Sequence, residues 1–90
     1  MNKWQINLTK STQKELTKLT PDAQEVILDY LYNKILKLSH PKLLGKILRH
    51  KLKGYWRYRV NKFRIICEFH DNQLNILVVK IAKHDVVYED

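Results

Sequence analysis

The sequence predicts an α+β domain with element order βααβββ, an antiparallel sheet carrying two helices on one face. Three observations lead there: an alternating segment opens the chain, a helix-periodic stretch follows, and three closely spaced strand-like runs come after it. Two amphipathic helices and an antiparallel sheet each have an apolar side, and packing them together buries both. Ninety residues suffice for one modest core and not for two, so a single domain over 1–90 is expected.

The first strand is "KWQINL", in which Trp4, Ile6 and Leu8 share one face and Lys3, Gln5 and Asn7 the other. "TQKE" then opens a short helix carrying Leu16 and Leu19, with Thr12 and Glu15 at capping-box spacing. A second helix starts at "TPDAQEV", where Thr20 can cap, Pro21 suits the first turn and Asp22 complements the helix dipole. Its apolar stripe, Ala23, Val26, Ile27, Tyr30, Leu31, Ile35 and Leu38, marks it as the main core helix. "SHP" ends it, because the residue before a proline avoids helical angles. The next segment, "KLLGKILRHKLKG", reads as a connector with a turn or two of helix, interrupted at Gly45. Three strands follow at 55–61, 63–70 and 74–83, joined by the turns "NK" and "HDNQ".

Charge is the strongest functional signal. Lys and Arg number 17 against 9 Asp and Glu, a net charge of +8, and no acidic residue stands between Asp29 and Glu68. Eleven of the 17 cations fall in that interval, and such an unopposed block suits a polyanion, above all nucleic acid. Apolar runs never exceed four residues, which excludes a membrane-spanning helix, and the polar, basic start lacks the apolar stretch of a signal peptide. The expected compartment is the cytoplasm. The lone Cys67 has no partner for an internal disulfide.

Within "YWRYRV" alternation sends Arg57 and Arg59 to one face and Trp56, Tyr58 and Val60 to the other. In the next strand Arg64 shares parity with Ile66, Glu68 and His70. A tight turn at Asn61 and Lys62 makes the two strands antiparallel neighbours, which brings Arg64 toward Arg57 and Arg59 if the register is favourable. Clustered guanidiniums repel one another, so an anionic ligand is the natural reason for them. The structural alternative pairs Arg64 with Glu68 along their common face.

The runs "LTKSTQKELTKL", "LKGYWRYRVNKFRIICEF" and "VVKIAKHDVVY" carry a resemblance. Their order and spacing across nearly the whole chain are similar to the RelE branch of the RelE/ParE toxin superfamily. The resemblance implies a RelE-like fold and a toxin that enters the ribosomal A site, cleaves mRNA there and is silenced by a cognate antitoxin. It implies the small ribosomal subunit and mRNA as further partners, with no membrane, no cofactor and no metal. The positions of Arg57 and Arg59 match a cleavage strand that often holds lysines. Arg64 matches a phosphate-stabilising arginine, and Tyr88 a terminal tyrosine that contacts or activates the nucleotide. Many relatives read His-Arg before the final Val-Tyr, so His84, after Lys83, occupies the usual arginine position here.

RNA cleavage without metal requires a base for the 2′-hydroxyl, charge stabilisation at a five-coordinate phosphorus, and an acid for the leaving oxygen. Guanidiniums fit the second task, and His84, with an unperturbed pKa of about 6.5, is the candidate acid. For the base, Tyr88, Glu68 and His84 are all candidates, Tyr88 being preferred; catalysis by RNA orientation and arginine electrostatics is the alternative. Lys46, Arg49, Lys51, Lys53, Lys62 and Lys83 are candidate RNA-backbone contacts. Two rival functions share the basic middle: a ParE-like poison of DNA gyrase that cleaves nothing, and a non-catalytic RNA-binding module. Cys67 and His70 fall on opposite faces, so "CEFH" makes no metal site and Cys67 is read as core.

Overall fold

The computed structural model describes residues 3–83. Strand β1 (Gln5–Leu8) alternates as expected and buries Ile6. Helix α1 (Lys10–Thr17) is capped by Thr9, whose hydroxyl accepts from the Thr12 N–H at 3.1 Å. The capping-box reading of Thr12 and Glu15 is thereby corrected: Thr12 is fully buried and donates to the Val78 carbonyl at 3.0 Å, while the Ile81 N–H donates to Glu15 Oε1 at 3.1 Å. The physical reason is the shortness of β1. It pairs with the last strand only as far as Leu8↔Val78, and beyond that point α1 side chains satisfy backbone groups that a neighbouring strand would have taken.

Helix α2 (Pro21–Asp29) begins as predicted, the Thr20 hydroxyl accepting from the Ala23 N–H at 3.2 Å. The single long helix expected through Leu38 instead changes pitch, through a π-helical turn at Tyr30–Lys34 and a 3₁₀ turn at Ile35–Lys37. Its three fully buried residues, Ile27, Leu31 and Ile35, recur every four positions. A step of four overshoots an α-helical turn of about 3.6 residues, and a locally wider turn absorbs the excess so that all three keep facing the core.

The three later strands, β3 (Trp56–Val60), β4 (Phe63–His70) and β5 (Asn75–Lys83), lie within a residue or two of their predicted spans. An additional two-residue strand, β2 (Lys46–Ile47), gives the sheet the order β1-β5-β4-β3-β2. The α+β class holds, with one difference from the sequence expectation: the sheet is mixed, because β1 runs parallel to β5 while the other pairs are antiparallel. The two helices that follow β1 form the long connection between it and the rest of the sheet, and they cover one face.

The connector carries the two short helical turns expected of it, both of 3₁₀ type, with an unforeseen strand between them. It consists of a 3₁₀ turn at Pro41–Leu44, then β2, then a 3₁₀ turn at His50–Leu52. Aromatic residues fix it to the sheet. The buried Tyr58 hydroxyl donates to the Pro41 carbonyl, and Lys42 Nζ sits 5.3 Å from the Trp56 ring centroid, 5.2 Å from that of Phe69 and 3.3 Å from Asp71. A Cβ on Gly45 would stand 3.2 Å from the Trp56 ring and 3.3 Å from Tyr58, so glycine is what lets this backbone lie against them. Tyr58, Ile65, Cys67, Ile76 and Val78 from the sheet and Ile27, Leu31 and Ile35 from the helical layer form the fully buried centre. Among the described residues no helix is long and apolar enough to cross a membrane.

Candidate nucleic-acid interface

With Tyr58, Ile65 and Cys67 turned toward the helices, the alternate residues of β3 and β4 project from the opposite face of the sheet. The β3–β4 register sets Arg59 directly opposite Arg64, and Arg57 opposite Ile66. The two-residue turn Asn61–Lys62 fixes that register; Asn61 adopts φ 50°, a left-handed conformation that asparagine tolerates better than most residues. The conditional expectation of a shared arginine face is therefore met in its strongest form, a directly paired Arg59 and Arg64 with Arg57 two residues along.

Neighbouring strands extend the basic row. Lys46 of β2 lies opposite Arg57, and Lys80 of β5 lies opposite Ile66, so Lys46, Arg57, Ile66 and Lys80 cross four strands in register. Lys80 is a functional candidate that sequence parity missed, because simple alternation groups it with the buried Ile76 and Val78. A register shift between Ile66 and Cys67, which pair with Lys80 and Val78, leaves Val79 as an extra residue and turns Lys80 to the arginine face. The available signal was Ile81, an apolar residue out of phase with Ile76 and Val78 and buried like them. Lys80 also forms an ion pair with Glu15, which anchors its strand to α1.

Arg59 is exposed, whereas Arg57 and Arg64 are half-buried. The Arg64 Nε is buried with no hydrogen-bond partner among the described residues. Glu68 lies on the same face, and its Oε1 is 3.1 Å from His70 Nε2; the alternative pairing of Glu68 with Arg64 gives way to this contact with histidine. Of the other predicted contacts, Arg49, Lys51, Lys53 and Lys62 are exposed on the connector and the hairpin turn. Lys83, opposite Phe63, has the parity of the helix-facing residues and is not on the arginine face. Cys67 is fully buried and burial pushes its thiol pKa up, so it is neither a nucleophile nor a ligand. Among the described residues no three His, Cys, Asp or Glu side chains are placed to hold a metal.

Residues 6–88 match the family model described as the ParE toxin of type II toxin–antitoxin systems, parDE. The chain belongs to this toxin family, within the RelE/ParE superfamily. A search of curated protein sequences found no match. Among solved structures, the toxin is similar to a chain of the RelBE2 toxin–antitoxin complex of Mycobacterium tuberculosis, with TM-score 0.82 and 19% identity over 91% of this chain and 93% of that one. The isolated RelE toxin of E. coli superposes with TM-score 0.71 and 13% identity, over 93% of this chain and 87% of that one. A YoeB/ParE toxin from Agrobacterium tumefaciens gives TM-score 0.65 and 18% identity, covering 88% and 96%. At such identities the likeness is one of fold. His84 and Tyr88, the remaining candidates of the toxin's site, lie outside the described residues.

Proposed function

We propose that the toxin is a metal-independent endoribonuclease that cleaves mRNA in the ribosomal A site, the 2′-hydroxyl attacking the adjacent phosphate. The observation that carries this reading is the register pair Arg59↔Arg64 with Arg57 beside it on the sheet face opposite the helices. Like charges directly opposite one another destabilise a sheet, and a phosphate passing to a five-coordinate, doubly charged state is the ligand that converts the repulsion into binding. Three guanidiniums supply donors in a fixed fork and remain charged throughout the reaction. Their affinity increases as charge builds on the phosphoryl oxygens, which is what lowers a barrier rather than merely binding substrate. The Nε of Arg64, buried with no partner among the described residues, is a donor of the kind a phosphate oxygen satisfies.

Protons are assigned to the carboxy-terminal segment, His84 as acid and Tyr88 as base or stacking group. Lys46 and Lys80 extend the cationic row along the RNA backbone, and Arg49, Lys51, Lys53 and Lys62 contact phosphates from the rim. The partner is a cognate antitoxin whose acidic segment covers the basic face; the RelBE2 and E. coli RelBE structures, similar in fold, are toxin–antitoxin complexes.

The family model favours a second reading, since its description names ParE. In that reading the same face poisons DNA gyrase and no bond is cut by the toxin. A paired assay separates the two. The first reading requires that purified toxin stop amino-acid incorporation in a translation extract and leave gyrase supercoiling untouched; gyrase-dependent DNA breaks with intact translation would replace it by the second.

A further inference from the structure

Strand β1 ends beside Val78, and past that point, among the described residues, no strand flanks β5 on that side. Helix α1 fills the gap with a carboxylate. Glu15 Oε1 accepts from the Ile81 N–H at 3.1 Å, and its other oxygen, Oε2, lies 2.5 Å from Lys80 Nζ. A carboxylate fastened by one oxygen to the strand backbone is a fixed point, so the ammonium that it holds has lost much of a lysine's usual freedom. The same lysine is the one that the extra residue Val79 turns to the arginine face. Lys80 stands opposite Ile66, which is only 3% exposed and gives the row from Arg57 to Lys80 an apolar floor. Two residues along β5 the small Ala82 stands opposite Arg64, so Lys80 is a diagonal neighbour of Arg64, roughly 7–8 Å away.

We propose that Glu15 is a positioning residue for the cleavage reaction: pinned to the Ile81 N–H, it aims Lys80 at the RNA phosphate next to the one gripped by Arg59 and Arg64, an inference that rests on the endoribonuclease reading. An ion pair of this exposure, 46% for the lysine and 26% for the glutamate, contributes little to folding stability. A carboxylate beside a phosphate-binding row also weakens the pull of that row on RNA. Neither stability nor affinity therefore accounts for the pair, and orientation does. A free lysine is a point charge on a flexible stem, which meets a phosphate wherever the chain happens to lie. A fixed one holds the neighbouring phosphate in one place relative to the arginines, so binding energy remote from the reacting bond keeps the 2′-hydroxyl in line with the scissile phosphate. Glu15 acts only through Lys80 and touches no RNA itself.

The test is cleavage of mRNA on programmed ribosomes, with kcat and KM measured separately for the wild-type toxin, Glu15→Gln, Lys80→Met, the double variant and Glu25→Gln. Glutamine keeps an oxygen for the Ile81 N–H and loses only the charge, so Glu15→Gln should melt within a few degrees of the wild type. Its kcat should fall about tenfold with KM unchanged or lower, because the ammonium is released from a competing carboxylate but no longer fixed. Lys80→Met leaves the Glu15–Ile81 hydrogen bond in place; it should lower kcat/KM by about tenfold or more and reduce the salt slope of RNA binding by about one. The double variant should be no slower than Lys80→Met alone, since Glu15 then has nothing to aim. Glu25→Gln makes the same change of net charge at an exposed position of α2 and should cut like the wild type. An unchanged kcat in Glu15→Gln, an unchanged kcat/KM in Lys80→Met or a large drop in the Glu15→Gln melting temperature would overturn the positioning role. Losses that multiply in the double variant, or an equal loss in Glu25→Gln, would overturn it too, and in each of these cases the endoribonuclease reading stands. A wild-type toxin that cuts no RNA would remove that reading and the positioning role with it.

Discussion

Arg64 faces Arg59 across β3 and β4, and its Nε is buried with no hydrogen-bond partner among the described residues. Both features oppose folding, one through like-charge repulsion and the other through an unmet donor. Replacing the side chain by an apolar one of similar length should therefore stabilise the toxin while disabling it. Arg64→Met is expected to raise the unfolding free energy by about 0.5–1 kcal/mol in urea titrations and to relieve growth arrest in cells. Cys67 and Tyr58 make a second residue-scale case. Both are fully buried, and burial pushes the thiol above its ordinary 9.0 and the phenol above its ordinary 10.0. Each is neutral when protonated, so the folded chain keeps protons that the unfolded chain releases, and stability present below pH 9 is lost as pH rises. The denaturation midpoint should be flat up to about pH 9 and fall above it, and Cys67→Ala should move the onset toward pH 10.

At the scale of elements, α1 acts as a substitute strand. β1 stops at Leu8, and Thr12 and Glu15 take over the next backbone groups of β5, with Glu15 also holding Lys80. Glu15→Ala leaves the Ile81 N–H without its acceptor and should cost about 1–3 kcal/mol by thermal or urea unfolding, more than an ordinary helix-surface substitution. The sequence displayed the elements because alternation in "KWQINL" and "YWRYRV" and the helical stripe from Ala23 onward are local periodicities. It did not display the partner of β1, whose parallel pairing with β5 joins residues about seventy positions apart. Nor did it display β2, two residues long and held by register with Arg57 and Trp56 rather than by any pattern of its own. The arginine face was half legible: parity gave the sides, while the opposition of Arg59 and Arg64 depended on the Asn61–Lys62 turn. Lys80 was hidden by the extra residue Val79, which reverses parity in the middle of a strand. Thr12 and Glu15 matched a capping motif in spacing, but Thr9 stood one turn earlier and took that role.

The molecule as a whole is a sheet with two chemically distinct sides. One side is closed by the helical layer around Ile27, Leu31 and Ile35, and the other presents Lys46, Arg57, Arg59, Arg64 and Lys80 in adjoining rows. With a net charge of +8, the free toxin favours polyanions at long range, and the proposed function has an acidic antitoxin compete with RNA for the same face. The central claim, that this face acts on the phosphodiester of a ribosome-bound message, is tested most directly by the chemistry of the cut ends. Mass spectrometry of mRNA fragments recovered from toxin-treated translating ribosomes should find upstream pieces ending in 2′,3′-cyclic or 3′-phosphate and downstream pieces beginning with a 5′-hydroxyl, with Arg64→Ala leaving the message whole. Intact mRNA with the active toxin, or ends carrying a 3′-hydroxyl and a 5′-phosphate, would contradict it.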